Sequence, residues 1–150
     1  MPRKRIQTVT FSVTADQIRG QGRPRFAIIG GKPRGYKADE DKAWESAIRS
    51  AYFGSASLND MAGFADEVHI LVQTKRKLPD SAPKRLMSEP DIHKPDADNI
   101  GKSVLDALNR VAFKDDRQVT RLTVEKMPRT RRDDEIMEVT IVYYAEIGTH

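Results

Sequence analysis

Cysteine is absent from this chain of 150 residues, which excludes disulfides, thiolate-held zinc and a nucleophilic cysteine. The redox compartment is left undetermined by the same absence. Long apolar runs are also missing. The basic start from Met1 to Arg5 is followed by no hydrophobic stretch, so neither a signal peptide nor a membrane span is expected. The expectation is a soluble, cytoplasmic protein without membrane contact. Its hydrophobic content of 38% over this length suits a single domain, residues 1–150, with a core that needs no cross-link or structural metal. The one tryptophan, Trp44, sits at helical spacing and reads as part of that core.

What is present in quantity is charge, and its distribution says more than the net value of +4. From Met1 to Lys37 the bases Arg3, Lys4, Arg5, Arg19, Arg23, Arg25, Lys32, Arg34 and Lys37 face Asp16 alone. Further clusters are Lys75-Arg76-Lys77 with Lys84-Arg85, and Arg129, Arg131 and Arg132. Acids concentrate at positions 89–98, at 106 and at 115–116. Basic arms around an acidic centre suit a polyanion held by its backbone while a cation bridges carboxylate to phosphate. A solvated charged surface has the same look.

Periodicity supplies the elements. Ile6–Val13 is rich in Thr, Val and Phe and predicts a strand. The Gly-rich segment Gly20–Lys37 predicts a loop or loose hairpin around Phe26–Ile29. Between Asp39 and Tyr52, Trp44, Ile48 and Tyr52 recur at helical spacing. Glu67–Thr74 alternates Val68, Ile70 and Val72 on one strand face, with His69 on the other. Lys75–Pro95, with its four prolines, predicts a long connection. A helix capped by Asp98 follows, with Ile100, Val104, Leu108 and Val111 on its apolar side, and strands at Val119–Met127 and Glu135–Glu146 finish the chain. The order β-α-β-α-β-β predicts an α+β fold, a mixed β-sheet with two main helices packed on one face.

The chemistry-bearing motif is Lys94-Pro95-Asp96-Ala97-Asp98-Asn99. Two carboxylates two residues apart at a helix entrance suit a hard cation such as magnesium, which takes one or two carboxylates together with water and phosphate oxygens. Turn and N-cap chemistry uses the same residues. Asp98, Lys102 and Asp106 fall on one helical face, where a ladder of ion pairs is the plain account of Asp106. Lys102, one turn from the acids, could neutralise charge developing on a phosphate oxygen. Farther on, Lys114-Asp115-Asp116 offers a third carboxylate. A helix from Asn99 to Phe113 would be roughly 21 Å long, putting Asp116 far from Asp96. A helix ending near Asn109 leaves a segment that can reach back about 20 Å. Either the helix exit doubles back or a partner chain supplies the third acid. Arg23 and Arg25, flanking Pro24, are fork-shaped phosphate ligands or ordinary loop arginines. His93 has no assigned role.

Taken in order, these residues resemble the RusA-type Holliday-junction resolvases. The resemblance lies in Lys94 to Asn109, with its Asp-x-Asp-Asn, Lys and Asp-Ala-Leu elements, followed by Lys114-Asp-Asp-Arg-Gln-Val119. A second block, Gly22-Arg-Pro-Arg-Phe26 leading to Tyr36 and then Trp44-Glu45, is similar to a segment of many phage members. Gly101 before the lysine and Arg117 after the acids depart from the pattern. The resemblance implies a homodimeric, magnesium-dependent endonuclease that cuts four-way DNA junctions by paired symmetric hydrolysis in recombination and repair. It implies Asp96, Asp98 and Asp116 as metal-holding catalytic acids, with Asp115 as the rival for the third place, and Lys102 as the catalytic lysine. Arg23, Arg25, Lys75, Arg76 and Lys77 are the expected DNA contacts. A less selective nuclease of flaps and other branched DNA, or a non-catalytic DNA-binding protein, are the alternatives.

Overall fold

A computed structural model describes residues 3–20, 25–36, 39–55 and 63–146. Strand β1 (Arg3–Ala15) leads to a hairpin of β2 (Arg25–Ile29) and β3 (Lys32–Tyr36), then to helix α1 (Asp39–Phe53). Strand β4 (Glu67–Lys75) and the short β5 (Ser88–Glu89) precede helix α2 (Ala97–Leu108). A 3-10 turn at Asp116–Gln118 opens into β6 (Val119–Lys126), followed by the short β7 (Arg129–Thr130) and the long β8 (Glu135–Glu146).

Four strands form the main sheet in the order β1-β8-β4-β6. Its first two neighbour pairs are antiparallel, and β4 with β6 is parallel. A parallel pair needs a crossover, and α2 is that crossover. The sheet is therefore mixed, with two helices, as the pattern of elements predicts.

Alternation decides which sheet face is covered. Val9, Phe11 and Val13 of β1, Val68, Ile70 and Val72 of β4, and Met137, Val139, Ile141 and Tyr143 of β8 are all buried. Against them lie Trp44, Ile48 and Tyr52 of α1 and Ile100, Val104, Ala107 and Leu108 of α2, in one cluster. Within it the Tyr143 hydroxyl donates to the Ala112 carbonyl at 2.8 Å and lies 3.2 Å from the Tyr52 hydroxyl. Burial, with Tyr52 beside it, pushes the Tyr143 phenol well above its ordinary range. His69 turns to the opposite face and rests on the Tyr144 ring, centroids 4.6 Å apart.

Gly101 explains its own presence inside a helix. A Cβ at this position would stand 3.0 Å from Leu122 Cδ2 and 3.3 Å from Val124 Cγ2. Lacking one, α2 lies close over β6, offsetting the helix-propensity penalty of about 1 kcal/mol for glycine against alanine. The contact also orients the pair: the first turns of α2 lie over the end of β6 that is farther along the chain.

Candidate metal and nucleic-acid site

The start of α2 is built by a turn whose Lys94–Pro95 peptide is cis. Asp96 is the N-cap, with extended backbone (φ −70°, ψ 157°), and its carbonyl accepts the Ile100 N–H at 3.0 Å. The cap expected at Asp98 thus sits two residues earlier, and Asp98 occupies the first turn. Asp96 makes no side-chain cap hydrogen bond. Its carboxylate, that of Asp98 and the Lys102 ammonium are all exposed, and none has a partner among the described residues. A negative group at a helix N-terminus is favoured by the dipole by about 0.3–1 kcal/mol, and unsatisfied N–H groups there also attract phosphate. Asp98 and Lys102 share one face, a turn apart, where side chains meet at roughly 5–6 Å between Cβ atoms.

A donor set of two unpartnered carboxylates fits a hard divalent cation, whose other positions go to water and phosphate. It does not by itself form a cage. Among the described residues, no group of three or more His, Asp or Glu side chains is disposed to hold an ion.

Asp116 is not brought to Asp96 and Asp98 within one chain. Helix α2 ends at Leu108, but its exit does not double back. Arg110 turns the chain with φ 63°, Asn109 and Phe113 form an isolated bridge, and β6 begins at Val119 beside Val68. That end of the sheet also holds Ala112 and Tyr143. The Asp96 end lies over Arg76, whose guanidinium reaches the Lys94 carbonyl at 2.8 Å. Val68 and Arg76 are separated by about 26 Å of strand at roughly 3.3 Å per residue. Asp116 and Asp96 therefore stand at opposite ends of the molecule.

Of the adjacent acids, Asp115 is committed to local structure. Its carboxylate accepts the Arg117 N–H at 2.8 Å and closes a capping box with Gln118. That backbone hydrogen bond, chiefly, holds the Asp115 carboxyl below its ordinary pKa. Asp116 is exposed.

The expected DNA contacts scatter. Arg23 lies outside the described residues, and of Arg25 only the backbone, in β2, is described. Gly20, which is described, packs on the α2 entrance. A Cβ there would stand 2.7 Å from Pro95 Cβ and 2.9 Å from Asn99 Cβ. Lys75 is on the helix-free face, its Nζ 3.1 Å from Glu138 Oε1. Lys77 is half-buried, its N–H donating to Glu135 Oε2 at 3.0 Å. Arg76 requires a correction: it is 4% exposed and faces the interior, so its guanidinium is taken up by protein groups rather than offered to DNA. Three successive strand residues cannot share a face, and the middle one here continues the inward series of Val68, Ile70, Val72 and Thr74.

Sequence reasoning missed Arg76's partners. Arg76 Nε lies 3.3 Å from Glu135 Oε1, and its NH1 lies 3.3 Å from Asp91 Oδ1. A readable signal existed for Glu135, since it falls in the same alternation as Met137, Val139 and Ile141. Two further buried acids, Asp41 and Glu45 of α1, also escaped notice; Asp41 lies 3.6 Å from Arg19 NH2, immediately before Gly20. No described helix is long and apolar enough to cross a membrane.

Comparison with known proteins agrees with the motif. The profile of the family described as Endodeoxyribonuclease RusA matches residues 17–141, a span that includes Asp96, Asp98, Lys102 and Asp116. The chain is also 30% identical over 128 residues to a Bacillus subtilis (strain 168) protein named "Uncharacterized protein YqaN", covering 81% of this chain and 88% of that one.

Proposed function

This chain belongs to the RusA endodeoxyribonuclease family, and from that premise we propose that it resolves four-way DNA junctions in recombination and repair, by paired, magnesium-dependent hydrolysis of symmetric strands. The observation that carries the reading is the α2 entrance, where two carboxylates and a lysine without partners among the described residues share an exposed helix terminus. If the acids served only as caps, Asp96 would bond the backbone N–H groups ahead of it, and it does not.

Asp96 and Asp98 hold the cation in this reading, and a second copy of the chain contributes Asp116. When bound, the ion supplies positive charge at the scissile phosphate and acidifies an attacking water. The protein's own groups do the rest. Free N–H groups at the start of α2 receive a phosphate oxygen. Lys102, one turn further on the face of Asp98, places an ammonium where the phosphorane gains charge. Water oxygen bonds to phosphorus as it loses a proton to solvent, the ester P–O bond breaks, and the leaving oxygen takes a proton from solvent. A homodimer is part of the same reading: the distance separating Asp116 from Asp96 supports it, and two-fold symmetry makes two equivalent sites for two equivalent strands.

Asp98→Asn tests the assignment. Cleavage is expected to fall by about a hundredfold or more, in the range seen for loss of electrostatic stabilisation, while junction binding in calcium survives or tightens. Undiminished cutting would remove Asp98 from the machinery. A parallel panel of junction, flap and linear duplex decides substrate class: equal rates on all three would rule out resolvase specificity.

A further inference from the structure

Beneath the α2 entrance lies a group of ionised side chains that takes no part in the chemistry described so far. The side chains of Arg76, Asp91 and Glu135 are 5%, 0% and 2% exposed. With Lys126, whose Nζ is 3.9 Å from Asp91 Oδ1, they make two cations against two anions inside the protein. Buried ion pairs contribute little net stability, since apolar residues of equal volume often do as well. Their value lies in fixing geometry, and here the geometry has a direction.

Arg76, Lys126 and Asp91 each bond the same turn. Arg76 NH1 reaches both Asp91 oxygens, at 3.3 and 3.4 Å, and donates to the Lys94 carbonyl at 2.8 Å. Lys126 Nζ donates to the His93 carbonyl. Asp91 Oδ1 accepts the His93 N–H at 3.4 Å. Glu135 anchors Arg76 from behind, and its oxygens accept the Ile18 N–H at 2.8 Å and the Lys77 N–H at 3.0 Å. The clamped segment, residues 91–94, runs directly into Pro95 and Asp96. Gly20 closes the other side, against Pro95 and Asn99.

We propose that Arg76 is a positioning residue for the nuclease reaction: spread between Glu135, Asp91 and the Lys94 carbonyl, it holds the turn that sets where the Asp96 and Asp98 carboxylates stand. The acceptors are met by two different nitrogens of one rigid plane, Nε for Glu135 and NH1 for Asp91 and Lys94, where an ammonium offers a single nitrogen, so the role requires arginine and not merely a cation. The inference rests on the functional reading above, since it concerns the same two acids.

The test uses the full chain and two variants, Arg76→Lys and the triple R76M/D91N/E135Q, which removes the charges of Arg76, Asp91 and Glu135. Four quantities are measured: thermal unfolding, junction binding without metal, Mg2+ binding by calorimetry without DNA, and cleavage against Mg2+ concentration. For variants that fold, metal-free junction binding is expected within about twofold of the parent. Mg2+ affinity and cleavage rate are expected to drop about 10–100-fold, as for other groups that orient metal-holding side chains. A merely structural role would lower the unfolding temperature and leave the Mg2+ dependence of the folded protein unmoved. Parental Mg2+ affinity and rate in either folded variant would overturn the proposal. So would failure of both to fold, since Arg76 would then hold the domain and not the site. A parent that cleaves no DNA, yet binds Mg2+ more tightly than Arg76→Lys, would sink the nuclease reading and leave the positioning intact.

Discussion

Gly101 and Leu122 approach so closely that a methyl group on the glycine would stand 3.0 Å from Leu122 Cδ2. The contact sets the height of α2 above β6, and it lies between Asp98 and Lys102. The contact therefore links helix position to site geometry.

Substitutions at Gly101 are expected to separate by size. Leu122 is 38% exposed on an edge strand, so its methyl can swing aside, and Val124 at 3.3 Å needs to yield only slightly. Alanine also regains about 1 kcal/mol of helix propensity. Gly101→Ala should thus lie within about 1 kcal/mol of the parent. Gly101→Leu has no such escape and should lose about 1–3 kcal/mol through overpacking. Urea denaturation measures both, and a Gly101→Leu protein as stable as the parent would show that α2 is free to lift.

Gly20→Ala should be worse than Gly101→Ala, although the added atom is the same. Its Cβ would meet Pro95 Cβ at 2.7 Å and Asn99 Cβ at 2.9 Å, atoms close to the backbone that cannot rotate away. A loss of about 1–3 kcal/mol is expected from the forced shift. The turn that moves carries Asp96 and Asp98, so cleavage by the folded fraction should fall as well. Unfolding curves and single-turnover rates on one preparation check both halves.

Several of these relationships are open to a reader of the sequence, and others are not, for physical reasons. The alternation in β4 and β8 is strict, so Val68 through Val72 and Met137 through Tyr143 declare their face. The same count extended outward places Arg76 and Glu135 inside, a result that charge alone argues against. Cap position was less legible, because Asp96 and Asp98 are both good N-cap residues and only the backbone turn at Pro95 selects between them. Pairing across the sheet is beyond any local pattern. That the β6 end beside Val68 lies far from the Asp96 end depends on α2 being a crossover between parallel strands, a fact of topology. Gly101 shows the converse: its helix looks weakened in one dimension and fits closely in three.

Stability should decline on the acid side in a way that three carboxylates at or near the surface share. Asp66 lies below its ordinary value of 3.8, chiefly through its hydrogen bond with Arg3. Glu67 lies below 4.5, chiefly through the Thr120 hydroxyl. Asp115 lies below 3.8, chiefly through the Arg117 N–H. A depressed folded pKa means that the unfolded chain takes up protons first, so stability is present above the unfolded values and is lost as pH falls through the folded ones. The window opens below about pH 4.5. Asp66→Asn combined with Asp115→Asn should flatten the profile there by lowering stability at neutral pH while leaving the acid limit almost unchanged; an unaltered acid slope would mean that these bonds do not persist in solution.

The separation of Asp116 from Asp96 makes a prediction that no single variant can make. Asp98→Asn and Asp116→Asn homodimers should each be inactive, since each lacks an acid at both sites. Consider then a mixed dimer of one subunit of each kind. If each site draws Asp96 and Asp98 from one chain and Asp116 from the other, one site in the mixed dimer combines both defects and the other combines none. Mixing the two inactive proteins under conditions of subunit exchange should therefore restore strand nicking, one cut per junction in place of two. If all three acids came from one chain, every site would keep a defect and no mixture would cut. Denaturing gels of a junction labelled on opposite strands distinguish these outcomes. Silence from the mixture, with exchange verified by a tagged subunit, would mean that Asp116 belongs to its own chain's site or to none.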